Sequence, residues 1–314
     1  MRYTDVGDTD CSIAQALSVV GDWWTLLLVR DLAGGTHQFD ALHEALGISR
    51  KVLTARLRAL VEDGVVEKRL YHAHPPRYAY HLTEKGWGLL PVLVALQDWG
   101  GRHLLGDGSL TATTDPDSAE SRRVHALLGT RLPELALPAA SESARPALVD
   151  PVAATPWTVL YCFPGAYAPG AQGHPPGWDD IPGAVGCTLE SCTYRDRLAD
   201  FTARGATVHG VSTQRPDQQA AFAAHQALPF GLLSDAALRL TGALRLPTFR
   251  AGGADRLKRL TLLLDSRRTV RGVLYPVPDP GGSVQDALAL IDAAERADEA
   301  LRSDPVRRVD SASG

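Results

Sequence analysis

The chain has 314 residues, 32 Lys and Arg against 36 Asp and Glu, a formal charge of −4, and 45% hydrophobic with 22% charged residues; this ordinary balance predicts a folded protein of about two domains and excludes a wholly disordered one. No apolar run approaches the ~18 residues of a membrane span, and the N-terminus, with Asp5, Asp8 and Asp10, lacks the basic-then-apolar shape of a secretory signal. Four cysteines are too few for a disulfide scaffold, so a cytoplasmic, reducing setting with sensing or catalytic thiols is expected, without a membrane partner.

From the N-terminus, Ser12 to Val20 and Trp23 to Leu32 carry apolar residues at helical spacing, broken by Gly34-Gly35. Phe39 to Leu46 predicts a short helix closed by Gly47, and Ser49 has the chemistry to cap another helix running to Asp63. On that helix Val52, Leu53, Leu57 and Leu60 project to one side, while Arg50, Lys51, Thr54 and Arg58 lie within about a 100° arc on the other, at ~100° per residue. Arg56 falls on the inner arc, where a structural ion pair is expected. Val65 to Tyr71 and Arg77 to Leu82 flank Pro75-Pro76 and read as a hairpin with a proline turn. Helix, turn, polar-faced helix and hairpin make a winged helix-turn-helix, whose second helix enters the major groove. Between residues 49 and 77 there are seven Lys or Arg against three acidic residues, the local positive patch that phosphate neutralisation needs. Ser49, Arg50, Lys51, Thr54 and Arg58 are the candidate DNA-binding residues of the helix, and Arg77 is that of the wing. His72 and His74 lack Cys or carboxylate partners at ligand spacing and are read as wing residues, so no metal is expected.

Cys11-Ser12-Ile13-Ala14-Gln15-Ala16-Leu17, Gly21-Asp22-Trp23-Trp24-Thr25-Leu26-Leu27, Leu46-Gly47-Ile48-Ser49, Leu53-Thr54-Ala55-Arg56-Leu57 and Tyr80-His81-Leu82-Thr83-Glu84-Lys85-Gly86 resemble the HxlR-type regulators over roughly Cys11 to Leu105. The resemblance implies a dimeric bacterial transcription factor that binds double-stranded operator DNA. The apolar helix from Trp87 to Leu105, with Leu90, Leu93, Val94 and Trp99, is the expected dimer element. Several members of that family sense oxidants through a cysteine just before the first helix, which here is Cys11.

From about Gly106 to Pro156 the chain is rich in Ala, Ser, Thr, Asp and Pro, the chemistry of a linker, although Ser121 to Leu135 holds enough Leu, Val and Arg for a short helix. The domains expected are therefore 1–105, a linker at 106–156, 157–300, and a tail at 301–314. In the third segment, strand, helix, strand, helix, two strands and a final helix are predicted over 157–163, 188–203, 206–212, 215–226, 258–265, 269–275 and 283–297. This order suits a thioredoxin-like α/β fold, a central sheet covered by helices. The whole chain is thus multidomain α/β.

Within that segment, Gly186-Cys187-Thr188-Leu189-Glu190-Ser191-Cys192 puts two cysteines five residues apart at the mouth of a helix. The positive end of the helix dipole and unpaired N–H groups favour thiolate over thiol there, so a depressed pKa is expected at Cys187. On a continuous helix the two positions are separated by about 7.5 Å of rise and point about 140° apart, beyond the ~7 Å Cα separation that a disulfide tolerates. Closing the bond must therefore unwind the first turn. Cys162, inside an apolar strand run, reads as core.

These residues resemble the peroxiredoxins, especially the atypical subgroup that includes the bacterioferritin comigratory proteins. Trp157-Thr158-Val159-Leu160-Tyr161-Cys162-Phe163-Pro164 is similar to the family's first core strand, Gly205 to Ser212 to the next, Leu233-Ser234-Asp235 to a family loop, and Lys258-Arg259-Leu260-Thr261-Leu262-Leu263-Leu264-Asp265 to the strand with the active-site arginine. The resemblance implies Cys187 as peroxidatic residue, Cys192 as resolving residue and Arg259 as thiolate partner. It also implies peroxide or another thiol oxidant and a thioredoxin-like reductant as partners, with no cofactor. Two departures stand out. Ala184 occupies the position where the family usually has Thr or Ser, and the segment from Pro164 to Cys187 is long and rich in Gly and Pro, able to reshape or cover the pocket.

The combined expectation is a redox-responsive, DNA-binding regulator whose second half senses oxidants through Cys187 and Cys192. Two alternatives stay open at this point: a working thiol peroxidase fused to an autoregulatory DNA-binding domain, and a regulator whose degenerate redoxin half serves ligand binding or dimerisation.

Overall fold

The computed structural model describes residues 10–170 and 173–303; Asp5, Asp8 and the expected tail beyond residue 303 lie outside the described residues. In chain order come helices α1 (Ser12–Val20), α2 (Trp23–Ala33), α3 (Phe39–Leu46) and α4 (Arg50–Glu62), strands β1 (Val66–His72) and β2 (Arg77–Leu82), then α5 (Glu84–Trp87), α6 (Leu90–His103) and α7 (Ala119–His125). They are followed by β3 (Leu137–Pro138), β4 (Leu148–Val149), β5 (Trp157–Cys162), α8 (Cys187–Asp196), α9 (Leu198–Ala203), β6 (Ala206–Ser212), α10 (Pro216–His225) and β7 (Gly231–Ser234). The last elements are α11 (Arg239–Leu244), β8 (Thr248–Ala251), β9 (Ala254–Leu257), β10 (Leu260–Asp265), β11 (Val270–Leu274) and α12 (Ser283–Ser303). Two compact units result, one of residues up to 104 with 132–135 and 237–246, the other of 105–131, 136–236 and the chain from 247 onward.

The first unit is a winged helix-turn-helix. Gly47 closes α3 in the left-handed region at φ 61, a conformation that glycine adopts without a Cβ penalty. Two residues later the Ser49 side chain accepts the Val52 N–H and caps α4. Leu53, Leu57 and Leu60 of α4 are buried with Leu28, Val29 and Leu32 of α2, Leu42 of α3, and Leu90 and Val94 of α6. Such a position costs about 2–5 kcal/mol on truncation to Ala. The expected apolar helix from Trp87 to Leu105 is interrupted: α5 stops at Trp87, and α6 starts at Leu90 with a proline in its first turn. Leu90 and Val94 of the expected dimer face point into this unit's core, while Val92, Leu96 and Trp99 are exposed.

The segment 237–246 also belongs to this first unit, although sequence reading gave it no element. Leu238 joins the core cluster, Arg239 Nη2 lies 2.9 Å from both Glu84 carboxylate oxygens, and Gln97 Nε2 donates to the Leu246 carbonyl at 2.8 Å.

The second unit is built on a five-stranded sheet in the order β11-β10-β5-β6-β7. β5, β6 and β7 run parallel, and β10 is antiparallel to both β5 and β11. All six residues of β5 and of β10 are buried, the pattern of strands covered on both faces. Trp157, Val159, Tyr161 and Phe163 alternate onto one face, where they share a cluster with Tyr194 of α8, Phe201 of α9, Phe222 of α10 and Val284, Leu288 and Ile291 of α12. This is the thioredoxin-like arrangement. The helix expected over 188–203 is two, broken at Arg197, and β7 lies where a family loop was expected, with the β8–β9 hairpin also unanticipated. Residues 106–156 hold α7 and the β3–β4 pair; all but 132–135 count with the second unit.

Candidate thiol site and nucleic-acid interface

Cys187 is the first residue of α8, and Gly186 before it sits at φ 100. A Cβ at Gly186 would lie 2.6 Å from Pro280 Cγ, so only glycine fits this turn. The Cys187 side chain is 4% exposed. Arg259 Nη2 donates to its sulfur at 3.5 Å and to the Val185 carbonyl at 2.9 Å. Arg259 Nη1 is hydrogen-bonded to Glu190, which stands one helical turn after Cys187 and is fully buried. The Cys187 thiol itself donates to the Ala184 carbonyl at 3.7 Å.

The depressed pKa expected for Cys187 is not what this pocket produces. Burial pushes the thiol up, and the Glu190 carboxylate adds to that, while Arg259 and the Gly165 N–H pull it down without fully offsetting the rise. The helix start was legible; the depth of burial and the competing carboxylate were not. Burial also raises the Glu190 carboxyl to about 7, against the attraction of Arg259 and the help of Ser283. Arg259 stays protonated: burial disfavours its charge, but Glu190 and Cys187 outweigh that.

Cys192 shares α8 with Cys187 but has other partners. Its thiol donates to Gln226 Oε1 at 3.3 Å, and Arg195, one turn on, donates to the Gln226 carbonyl at 2.7 Å. All four cysteines are free thiols. Because α8 is continuous from Cys187 to Asp196, a bond between the two sulfurs requires the turn between them to open. Cys162 is buried in β5, and burial raises its thiol, with Asp235 and Glu190 adding to the rise; it is a core residue. Cys11 caps α1, its sulfur accepting the Ala14 N–H at 3.5 Å.

Both ends of the long segment between Pro164 and Cys187 are packed against the protein. Gln214 exchanges two hydrogen bonds with the Ala166 backbone, at 2.8 and 2.7 Å. Trp178, Ile181 and Ala184 form a cluster with Ala112, Phe249 and Ala251. Sequence reading missed Glu190 and Gln214 as parts of this site. The signal for Glu190 was its place three residues after Cys187, on the same helical face.

In the first unit, Ser49, Arg50, Lys51, Thr54 and Arg58 are exposed along the outer side of α4, and Arg77 is exposed at the start of β2. Arg50 pairs with Asp40 at 2.7 Å and Arg58 with Glu62 at 2.7 Å. Arg56 instead pairs inward with Asp22 at 2.7 Å, as its place on the inner arc implied. Thr54 donates back to the Arg50 carbonyl at 2.8 Å, and on the wing Lys68 lies 3.8 Å from the Tyr78 ring centroid.

Residues 19–106 match the HxlR-like helix-turn-helix family. An HTH-type transcriptional regulator of Methanothermobacter thermautotrophicus is 35% identical over 99 residues, 31% of this chain and 76% of that protein. The chain belongs to the HxlR-like helix-turn-helix family. An HTH-type regulator of Mycobacterium tuberculosis is 42% identical over 93 residues, 30% of this chain, which spans 59% of that relative's length. Outside the HxlR-like region, residues 182–273 match the AhpC/TSA family. Among solved structures, peroxidoxin BcpB of Mycobacterium tuberculosis aligns with TM-score 0.43 and 24% identity over 53% of this chain and 96% of that one. Peroxiredoxin Q of Xanthomonas campestris aligns with TM-score 0.40 and 24% identity over 51% and 90%. An HxlR-like helix-turn-helix region and a peroxiredoxin-like region thus share one chain. Among the described residues, no single helix is long and apolar enough to cross a membrane.

Proposed function

We propose that this HxlR-like protein is a redox-responsive transcriptional regulator, dimeric through its N-terminal region (residues 1–105), which binds double-stranded operator DNA. Its peroxiredoxin-like region (157–300) reacts with peroxide or another thiol oxidant in a reducing cytoplasm. The observation that carries this reading is Cys187 at the first residue of α8, hydrogen-bonded by Arg259 at 3.5 Å, with a second free thiol, Cys192, on the same helix.

In the proposed cycle the Cys187 thiolate attacks the terminal oxygen of a hydroperoxide. The S–O bond forms, the O–O bond breaks, and the leaving alkoxide or hydroxide takes a proton. The Cys192 thiolate then displaces hydroxide from the sulfenic acid, which leaves as water once protonated, and α8 unwinds as the disulfide closes. A thioredoxin-like dithiol restores both thiols by exchange.

Arg50, Lys51, Thr54 and Arg58 read the major groove, with Ser49 capping their helix and Arg77 contacting phosphate from the wing. The exposed Val92, Leu96 and Trp99 of α6 are the apolar surface assigned to the dimer. Coupling is supported by chain membership: residues 237–246 count with the first unit, while the chain on both sides of them counts with the second. The buried, raised thiol of Cys187 and the alanine at 184 favour sensing, or a redoxin half kept as a binding module, over rapid scavenging. Peptide mapping after stoichiometric peroxide is the test. A Cys187–Cys192 disulfide within one chain is expected, and a free Cys187 with modified Cys11 or Cys162 would sink the reading.

A further inference from the structure

Four cations of the second unit are at least nine-tenths buried: Arg256, Lys258, Arg259 and Arg268. Three of them have a carboxylate, Lys258 from Glu120 at 2.9 Å, Arg259 from Glu190 and Arg268 from Asp150 at 2.5 Å. Arg256, 7% exposed, has no carboxylate within ion-pair distance among the described residues. Its Nε donates to the Ala251 carbonyl at 3.3 Å, and its Nη1 to the Pro164 carbonyl at 3.4 Å and the Tyr167 hydroxyl at 3.2 Å. These are neutral acceptors at long range, and Nη2 has no partner among the described residues. A buried charge is ordinarily paired with an opposite one; this one is met by neutral acceptors and the Trp178 ring face.

The surroundings are aromatic. The Arg256 guanidinium lies 4.9 Å from the Trp178 ring centroid. His174 stacks on Trp178 at 4.5 Å, and Tyr167 meets His174 edge-on at 5.0 Å. His174 is exposed and Tyr167 half-buried, so this wall reaches solvent. It also borders the thiol. A Cβ on Gly165 would sit 3.0 Å from Arg256 Nη1, and the next residue, Ala166, shares a buried cluster with Cys187.

We propose that Arg256, walled by Tyr167, His174 and Trp178, binds the anionic end of an aromatic hydroperoxide whose O–O bond is presented to Cys187. The inference rests on the reading of Cys187 as the peroxide-reactive thiol. Guanidinium and carboxylate match as a planar fork, and the ring of the ligand stacks within the aromatic wall. The reaction is the one already described: Cys187 is oxidised to the sulfenic acid, and the hydroperoxide is reduced to the corresponding aryl alcohol.

The test has two arms on the full-length protein. In the first, calorimetry compares 4-isopropylbenzoate, an inert anion of this shape, with its neutral amide. A preference of about tenfold or more for the anion is expected, the worth of one charge-assisted hydrogen bond. Arg256→Gln should bring that ratio close to one, whereas Arg256→Lys should retain part of it. A purely structural Arg256 would weaken both ligands in parallel and leave the ratio unchanged, and wild-type protein without a preference overturns the site even if the variants fail to fold. In the second arm, cumene hydroperoxide with and without a ring carboxylate oxidises Cys187, with the same preference expected. Benzoate binding with no oxidation of Cys187 by either hydroperoxide would refute the peroxide reading and leave the anion site standing. Oxidation without charge preference would do the reverse.

Discussion

Arg50 on α4 and Arg259 before β10 each hydrogen-bond a carboxylate, Asp40 in one case and Glu190 in the other. The side chains of the first pair are 62% and 79% exposed, those of the second 2% and 0%. This difference decides what each pair can do. An exposed pair is worth about 0–1 kcal/mol and is screened by salt, so Arg50 can exchange Asp40 for a phosphate or a base edge at little cost. A buried pair has already lost its hydration, and removing one partner strands the other. Arg259 is therefore committed to its pocket, where Glu190 and the Cys187 sulfur share it.

The strongest way to break this contrast is to truncate the two arginines separately. Arg259→Ala is expected to destabilise the protein by about 3–5 kcal/mol, because Glu190 is left as an unpaired buried carboxylate, and also to slow oxidation of Cys187. Urea unfolding checks the first effect and timed thiol labelling the second. A stability change under about 0.5 kcal/mol would contradict the account, that being the range of an ordinary surface substitution.

On the exposed side, Arg50→Ala or Lys51→Ala should cost about 1–3 kcal/mol of operator affinity where the residue reads a base edge. A phosphate-only contact should instead lower affinity across sequences and reduce the salt slope by about one. Stability should hardly move in either case. Unchanged affinity and salt dependence in the Arg50→Ala/Lys51→Ala/Arg58→Ala triple mutant would remove the recognition-helix assignment.

Glu190→Gln sharpens the comparison from within the pocket. The carboxylate raises the Cys187 pKa, and its own pKa is pushed up to about 7 by burial. Removing that charge while keeping an acceptor for Arg259 should move the pH midpoint of Cys187 oxidation downward. The linkage sign is also defined. A carboxyl whose folded pKa exceeds its unfolded value of 4.5 contributes stability that is full below 4.5 and is lost as pH rises to about 7. Glu190→Gln should flatten that part of the stability profile. An oxidation midpoint that stays put or rises would assign the raised thiol to burial alone.

The smallest effect is expected at Cys11. Serine is a strong N-cap, so Cys11→Ser should leave stability within about 0.5 kcal/mol while reducing the DNA-binding response to thiol oxidants. A full response in that variant returns Cys11 to a capping role.

The winged helix was legible because its signals are local: Gly47 and Ser49 mark a helix end and a helix start, and the apolar period of α4 separates its two faces. The thiol site was legible as far as the helix start, Cys192 and the apolar strand after Arg259. Hidden were the features that depend on three-dimensional packing. The spacing of Glu190 puts it on the Cys187 face of its helix, but nothing local shows that this turn is buried against Arg259. The strands β7, β8 and β9 have four residues each, too short for an alternating pattern to stand out. Residues 237–246 carry no mark of the unit with which they pack. The contact of Arg256 with Trp178 joins residues far apart in sequence.

The central claim is that oxidation at Cys187 changes what α4 does, and one titration addresses it. Operator affinity is measured for the reduced full-length protein and for protein treated with one equivalent of peroxide, with disulfides mapped in the same samples and Cys187→Ser run in parallel. The account predicts a shift in affinity that appears with the Cys187–Cys192 disulfide, reverses with dithiothreitol and is absent in Cys187→Ser. A complete Cys187–Cys192 disulfide with unchanged operator affinity would contradict it.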